Sequence, residues 1–350
     1  MTNLYIASKE SCGKTALCAG IGKKLSGQGK KVGYFAPVRL SDTGHTNGSK
    51  DAAFIKEALK LEESPDVLSP VNLSSLELWK SLTDDKETFI QQLKKNHSQL
   101  SKGKDIVIME GLSGFPANST STLACYTIAE VLDAKVVVII RYSAKLAPSD
   151  MARAANELGQ NLLGVIINFV PESKIEAVKQ NIIDSFQKVG IKILGIIPEV
   201  KSLQGISIEE LAQALNGDII TCPENKGDLI ENFMLGAMTL DSGVDYFSRK
   251  KDKVAIIRGE RPDMQLAALQ TPTKCLVLTD NVKPLATVVF ESESKHVPLV
   301  VAPKDTTGTI TDIELALTHS SFHNPQKLKA LESILDKYVD LKSLTSALDL

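Results

Sequence analysis

No two cysteines in this chain stand at C-x-x-C spacing. The five present, Cys12, Cys18, Cys125, Cys222 and Cys275, are scattered, and several lie in apolar runs. That excludes a disulfide scaffold and reads as reduced core thiols of a cytoplasmic protein. Charge of one sign is not in excess either: 40 Lys and Arg face 42 Asp and Glu, a net of -2, which leaves no electrostatic case for nucleic acid. No apolar run approaches a membrane span, and the N-terminus lacks the apolar core of a secretory leader. Histidines are few, and His45 and His97 have no partner spacing that suggests a metal. Internal repeats and low-complexity runs are missing. The remaining composition, 43% hydrophobic and 23% charged, is that of an ordinary globular protein, and 350 residues suggest two or three domains.

What is present is concentrated near the N-terminus. Leu4 to Ala7 is a short apolar run bounded by polar residues and reads as a buried parallel strand. Gly13-Lys14-Thr15 follows, then Ala16, Leu17, Ala19, Gly20 and Leu25 at helix-compatible spacing. A strand that passes through a loop into a helix, with Gly-Lys-Thr at the helix start, is the setting a phosphate-binding loop requires. The unpaired N–H groups and partial positive charge of a helix N-terminus favour an anion. The candidate nucleotide-binding residues are therefore Ser11, Cys12, Gly13, Lys14, Thr15 and Ala16. Lys14 would reach the terminal phosphates and Thr15 would hold Mg²⁺. The usual pattern has a further glycine five residues before Gly13, where this chain has Ser8. Cys12, beside the helix start, is either a thiol of lowered pKa or simply a small residue in a tight loop.

Further along, the chain alternates strands and helices. A strand at 31–35 ends at Ala36-Pro37, and the polar segment Ser41 to Asp51 follows. Asp42 and Asp51 are candidate ligands of a metal or its waters, against the alternative of solvated loop acids. Helical stretches are expected over 51–61 and 76–100. Asp105 to Glu110 (DIVIME) is an apolar strand closed by an acid, and beside a phosphate loop such an acid typically serves the Mg²⁺ shell; the alternative is a strand-end surface acid. Helices at 123–132, 149–158 and 173–189 then alternate with strands at 135–140, 163–168 and 192–197. Unbroken Val/Ile strands indicate a sheet covered on both faces, so the expected architecture is an α/β fold: a doubly wound, mostly parallel sheet with its ligand at the strand C-terminal ends. From about residue 203 the texture changes. Ser207 starts a capped helix, and a smaller α/β pattern has strands at 254–257, 275–278 and 299–301 with helices near 264–270 and 286–292. Leu328, Leu331, Ile334, Leu335 and Val339 form one stripe of a C-terminal helix, expected to cap the second domain or join two subunits. The expected division is 1–203 and 204–350.

The first part resembles the dethiobiotin synthetase-like P-loop ATPases, most closely the N-terminal part of long phosphotransacetylases. The resemblance rests on YIASKESCGKT, VGYFAPV, DIVIMEGLSG, LLGVIINFVP and ILGIIPE. It implies that Glu110 helps bind Mg²⁺ and that Asn168 lies by the nucleotide base. Ser8-Lys9 ahead of Gly13-Lys14-Thr15 also resembles the deviant loop of dimeric ATPases related to MinD. That likeness makes Lys9 a signature lysine acting on the partner subunit's phosphates, against the alternative of a surface lysine. The second part resembles a DRTGG domain through MLGAMTLDSGVDYF, IIRGERPDMQLAAL, CLVLTDN, VPLVVAPKDTTGTI and the terminal helical stretch, although Gly259-Glu260-Arg261 and Thr279-Asp280-Asn281 depart from the naming residues.

The resemblance implies an ATP- and Mg²⁺-binding regulatory protein with weak ATPase activity at most. It further implies a homodimer or higher homo-oligomer, linked to acetyl-phosphate or acetyl-CoA metabolism and to an enzyme partner there. The acetyl-transferring part of a phosphotransacetylase is missing from these residues, so no acetyl transfer by the isolated chain is expected. The competing reading is an ATP-dependent carboxylate-activating ligase of the dethiobiotin or cobyrinic acid diamide synthase type. Against it, Ala36-Pro37 stands where that family carries Lys-Pro, and an alanine cannot stabilise a carbamate or acyl-phosphate.

Overall fold

Apolar strands such as 106–109 and 136–140 bury every side chain, which requires cover on both sheet faces. The structure, a computed structural model, describes residues 1–10, 12–41, 48–236, 243–318 and 322–350. It divides into two units: Met1–Glu199 with Leu328–Leu350, and Val200–Lys327.

In chain order the first unit has β1 (Thr2–Ser8), α1 (Lys14–Gly27), β2 (Val32–Phe35), β3 (Arg39–Leu40), α2 (Gly48–Leu59), α3 (Pro65–Leu68), β4 (Asn72–Leu73), α4 (Ser75–Thr83) and α5 (Lys86–Leu100). It continues with β5 (Ile106–Ser113), α6 (Ser119–Val131), β6 (Ala134–Arg141), α7 (Ser149–Leu158), β7 (Leu162–Val170), α8 (Ile175–Gln187) and β8 (Ile193–Pro198). Six strands form one parallel sheet in the order β2-β5-β1-β6-β7-β8. The chain lays β2 at the edge and β5 between it and β1 on one side, then β6, β7 and β8 on the other, so a crevice opens at the C-terminal end of β1. The short β3–β4 ladder is separate. The doubly wound parallel sheet read from the sequence is the one observed.

Besides the short α3, β3 and β4, which the sequence pattern does not indicate, one expected element differs from the observed one. The single helical stretch over 76–100 is two helices, broken at Asp84-Asp85. Thr83 Oγ1 lies 2.9 Å from both Trp79 O and Asp84 Oδ1 and can donate its one proton to either, so a local side-chain bond competes with helix propagation.

The second unit contains α9 (Lys201–Gln204), β9 (Ile206–Ser207), α10 (Ile208–Leu215), β10 (Asp218–Ile219), β11 (Leu229–Ile230), β12 (Asn232–Gly236), α11 (Gly243–Phe247), β13 (Lys253–Arg258), α12 (Pro262–Leu269), β14 (Thr273–Thr279), α13 (Ala286–Ser294), β15 (Leu299–Val301) and α14 (Thr306–Thr318). Its sheet runs β10-β15-β14-β13-β12, parallel except for β10. The expected cap of α10 is present as a reciprocal pair: Glu210 N–H donates to Ser207 Oγ, and Ser207 N–H donates to Glu210 Oε2.

The last helices, α15 (Pro325–Tyr338) and α16 (Leu341–Ala347), bring a correction. Residues 328–350 belong to the first unit, where the expected division assigned them to the second. The stripe is buried as expected at Leu328, Leu331, Leu335 and Val339, but against the P-loop unit. Gly20 of α1 makes the contact: a Cβ there would lie 2.6 Å from Leu335 Cδ1 and 3.0 Å from Leu331 Cδ2. Val339 also bridges Gly195 of β8.

Candidate functional site

The loop between β1 and α1 closes on itself. Ser8, fully buried at the end of β1, donates its hydroxyl to Glu10 O at 2.7 Å. The serine in the place of the expected glycine thus ties the turn that follows it. Gly13 adopts φ +90°, a left-handed conformation that a side chain would disfavour, and a Cβ there would meet Asn168 Nδ2 at 3.3 Å. The N-cap residue of α1 is Gly13, which has no side chain to cap the first-turn N–H groups.

Lys14 is buried, with its Nζ donating to Ser8 Oγ at 2.9 Å and to Ser113 Oγ at 2.6 Å. Among the described residues no carboxylate lies within ion-pair distance of it. Among the described residues this buried ammonium is held by two hydroxyls, with the Glu110 carboxyl acting on it from beyond ion-pair distance, so a phosphate would give it a direct counter-anion.

Thr15 donates its hydroxyl to Glu110 Oε1 at 2.7 Å, and Tyr34 OH donates to Glu110 Oε2 at 2.7 Å. The Glu110 pKa is pushed up, first by burial and then by the negative charge of Asp51, while Lys14 and the two hydroxyls oppose the rise. Tyr34 is raised well above a free phenol by burial and by Glu110. The Glu110 carboxylate and the Thr15 hydroxyl are hard oxygens of the kind Mg²⁺ takes. Of the expected metal residues, Thr15 and Glu110 are in direct contact, and Asp51 acts on Glu110 through its charge. Among the described residues no cluster of three or more His, Cys, Asp or Glu side chains is present. A Mg²⁺ here would need phosphate or water oxygens as its other ligands, which is its habit. Gly111 follows Glu110 because nothing larger fits: a Cβ would lie 2.5 Å from Tyr5 OH.

Asn168 stands across the loop, where Nδ2 donates to Cys12 O at 2.9 Å and Oδ1 accepts from Phe169 N–H at 2.8 Å. Its carboxamide is thus engaged in holding the loop. The Cys12 thiol points inward, within 3.6 Å of Ile139 O, and burial raises its pKa. That overturns the lowered-pKa reading, because desolvation exceeds the pull of Lys14; only the backbone of Cys12 can face a phosphate. Ala16 is half-buried in the first turn, and Lys9 is exposed. Ser11, Asp42 and His45 lie outside the described residues. His97 is a satisfied core residue, its Nε2 within 2.8 Å of Asn3 Oδ1.

Residues 2–207 match the family described as AAA domain, well over half of the chain. The chain belongs to the AAA domain family. A DRTGG domain matches residues 210–316, after this AAA domain. The chain is 25% identical over 296 residues to the phosphate acetyltransferase of Haemophilus influenzae, covering 76% of this chain and 40% of that protein. It is 27% identical over 198 residues to the ATP-dependent dethiobiotin synthetase of Methanococcus vannielii, covering 54% of this chain and 89% of that protein. The chain therefore spans about two-fifths of the acetyltransferase's length. Among solved structures, the MinD cell division protein of Aquifex aeolicus aligns with 58% of this chain and 84% of its own at 20% identity and a TM-score of 0.34, too low to add to what the sheet order of the AAA domain already shows. No helix among the described residues is long and apolar enough to cross a membrane.

The site residues that sequence reasoning missed are Ser113 and Tyr34. Ser113 lies in the quoted GLSG segment, and Tyr34 lies in a strand read only as framework. Their roles depend on β5 pairing with both β1 and β2, which no local pattern reveals.

Proposed function

We propose that the chain binds a magnesium nucleoside triphosphate, ATP in the first instance, at the loop of its AAA domain. Lys14 would hold the terminal phosphates, Thr15 and Glu110 with Asp51 the Mg²⁺ shell, and the α1 N-terminus the remaining phosphate oxygens. The observation that carries this reading is the buried Lys14 ammonium, whose partners among the described residues are two hydroxyls, Ser8 and Ser113, at the start of α1.

Beyond binding, the reading is regulatory. The nucleotide state is relayed within a homodimer to an enzyme of acetyl-phosphate or acetyl-CoA metabolism, the chemistry named by the acetyltransferase relatives. A carboxylate-activating ligase is less well supported. Ala36 stands where the ligase lysine would be, and its N–H and carbonyl are bonded to Leu68 and Ser69.

Thermal unfolding with and without MgATP tests the binding. A ligand at a hundredfold excess over its Kd stabilises the folded state by about 2.7 kcal/mol. A shift with MgATP that is clearly reduced in Lys14→Ala is the expected result; equal unfolding of wild type with and without nucleotide would count against the proposal.

A further inference from the structure

The crevice has two sides. On the β5 and β2 side stand Glu110, Ser113 and Tyr34, and Lys14 Nζ reaches that way to Ser113. On the other side β6 ends at Arg141, which pairs in register with Asn168 of β7, and Phe169 follows. Phosphates held by Lys14 would lie toward β5, which would leave the nucleoside end over β6 and β7.

Two features stand there. The Arg141 guanidinium lies 4.0 Å above the centre of the Phe169 ring, and both residues are half-buried. Phe169 also adopts φ +60°, a region a bulky aromatic rarely enters and one that concentrates at functional sites. That conformation is tied to the loop. Phe169 N–H donates to Asn168 Oδ1, and Asn168 Nδ2 donates to Cys12 O. The asparagine thus ties both the loop and the Phe169 backbone, keeping one N–H and one carbonyl lone pair in reserve. A flat stacked cation–aromatic pair accepts any base through its π-face.

We propose that the Arg141–Phe169 pair is the base platform of the nucleotide site, and that it holds purine nucleotides by stacking with little distinction between adenine and guanine. This rests on the loop binding a nucleotide, as argued under Proposed function.

Titration calorimetry with MgATP, MgGTP, MgCTP and magnesium tripolyphosphate tests it, on wild type, Arg141→Lys and Phe169→Leu. Tripolyphosphate has no base, and Arg141→Lys keeps the charge while losing the flat stacking surface. The expected result is ATP and GTP within about threefold of each other and CTP weaker. Each variant should lose about tenfold or more for ATP and GTP, with tripolyphosphate affinity within about twofold of wild type. Circular dichroism melts of both variants establish that they fold. Undiminished ATP binding in both folded variants would overturn the platform, as would equal loss for ATP and tripolyphosphate. A preference for ATP over GTP beyond about tenfold would overturn its base tolerance. If wild type binds neither ATP nor tripolyphosphate, the loop reading falls and this inference falls with it. If both ligands bind wild type equally, only the platform falls.

Discussion

Glu110 sits in an electrostatic conflict that a cation would resolve. Burial and Asp51 favour its protonated form, while Thr15, Tyr34 and Lys14 favour its charged form. Because its pKa is raised in the folded chain, the folded state holds the proton to higher pH than the unfolded one. Without cation, stability therefore declines as pH rises through the window above the ordinary value of 4.5. Mg²⁺ needs the carboxylate, so the Mg²⁺ dependence of nucleotide affinity should weaken as pH falls through the same window. Binding measured with and without Mg²⁺ across pH checks this. Glu110→Gln should remove both the pH dependence and most of the Mg²⁺ effect; a pH profile unchanged by that substitution would contradict the assignment. Tyr34→Phe should raise the Glu110 pKa further and cost about 1 kcal/mol of stability, seen in denaturant unfolding. Lys14, Thr15 and Glu110 were legible from the sequence because motif and strand–loop–helix order are local. Ser113 and Tyr34 were not, since each reaches the site through strand pairing. Cys12 shows the opposite failure: its position at a helix start was legible, but its direction into the core was not.

The strand and helix alternation of the first unit was legible almost throughout, because parallel strands buried on both faces leave unbroken Val/Ile runs. The edge strands β10 and β12 escaped, β10 being two residues long and β12 lying in a segment noted only for its likeness to a DRTGG domain. The α15 stripe was legible as a buried face, but amphipathicity states that a face is covered and not what covers it. Gly20 holds that answer, as the space on α1 that admits Leu331 and Leu335. Leu335→Ala, at a fully buried position, should destabilise the AAA-domain unit by about 2–5 kcal/mol. Hydrogen exchange read separately over residues 1–199 and 200–327 checks it. Loss of protection in 200–327 alone would contradict the assignment of this helix to the first unit.

For the whole molecule, the proposal is a homodimer whose nucleotide site is completed by Lys9 of a second copy. Lys9 is exposed, as a residue acting across an interface must be in the single chain. A lysine supplied in trans places positive charge where phosphate charge develops during hydrolysis. Lys9→Ala should accordingly spare nucleotide binding and abolish hydrolysis, and wild-type turnover per chain should rise with protein concentration. A monomer in sedimentation at tens of micromolar with MgATP, together with unaltered turnover in Lys9→Ala, would leave the dimer proposal without support while leaving the loop untouched.

The account depends most on the loop taking a nucleotide through Lys14. Isothermal titration of MgATP into wild type and Lys14→Ala tests that directly. Hydrogen bonds from a charged group contribute about 1.5–3 kcal/mol, so the variant should bind about ten- to hundredfold more weakly. Equal binding by the two proteins, or none by either, would contradict the account.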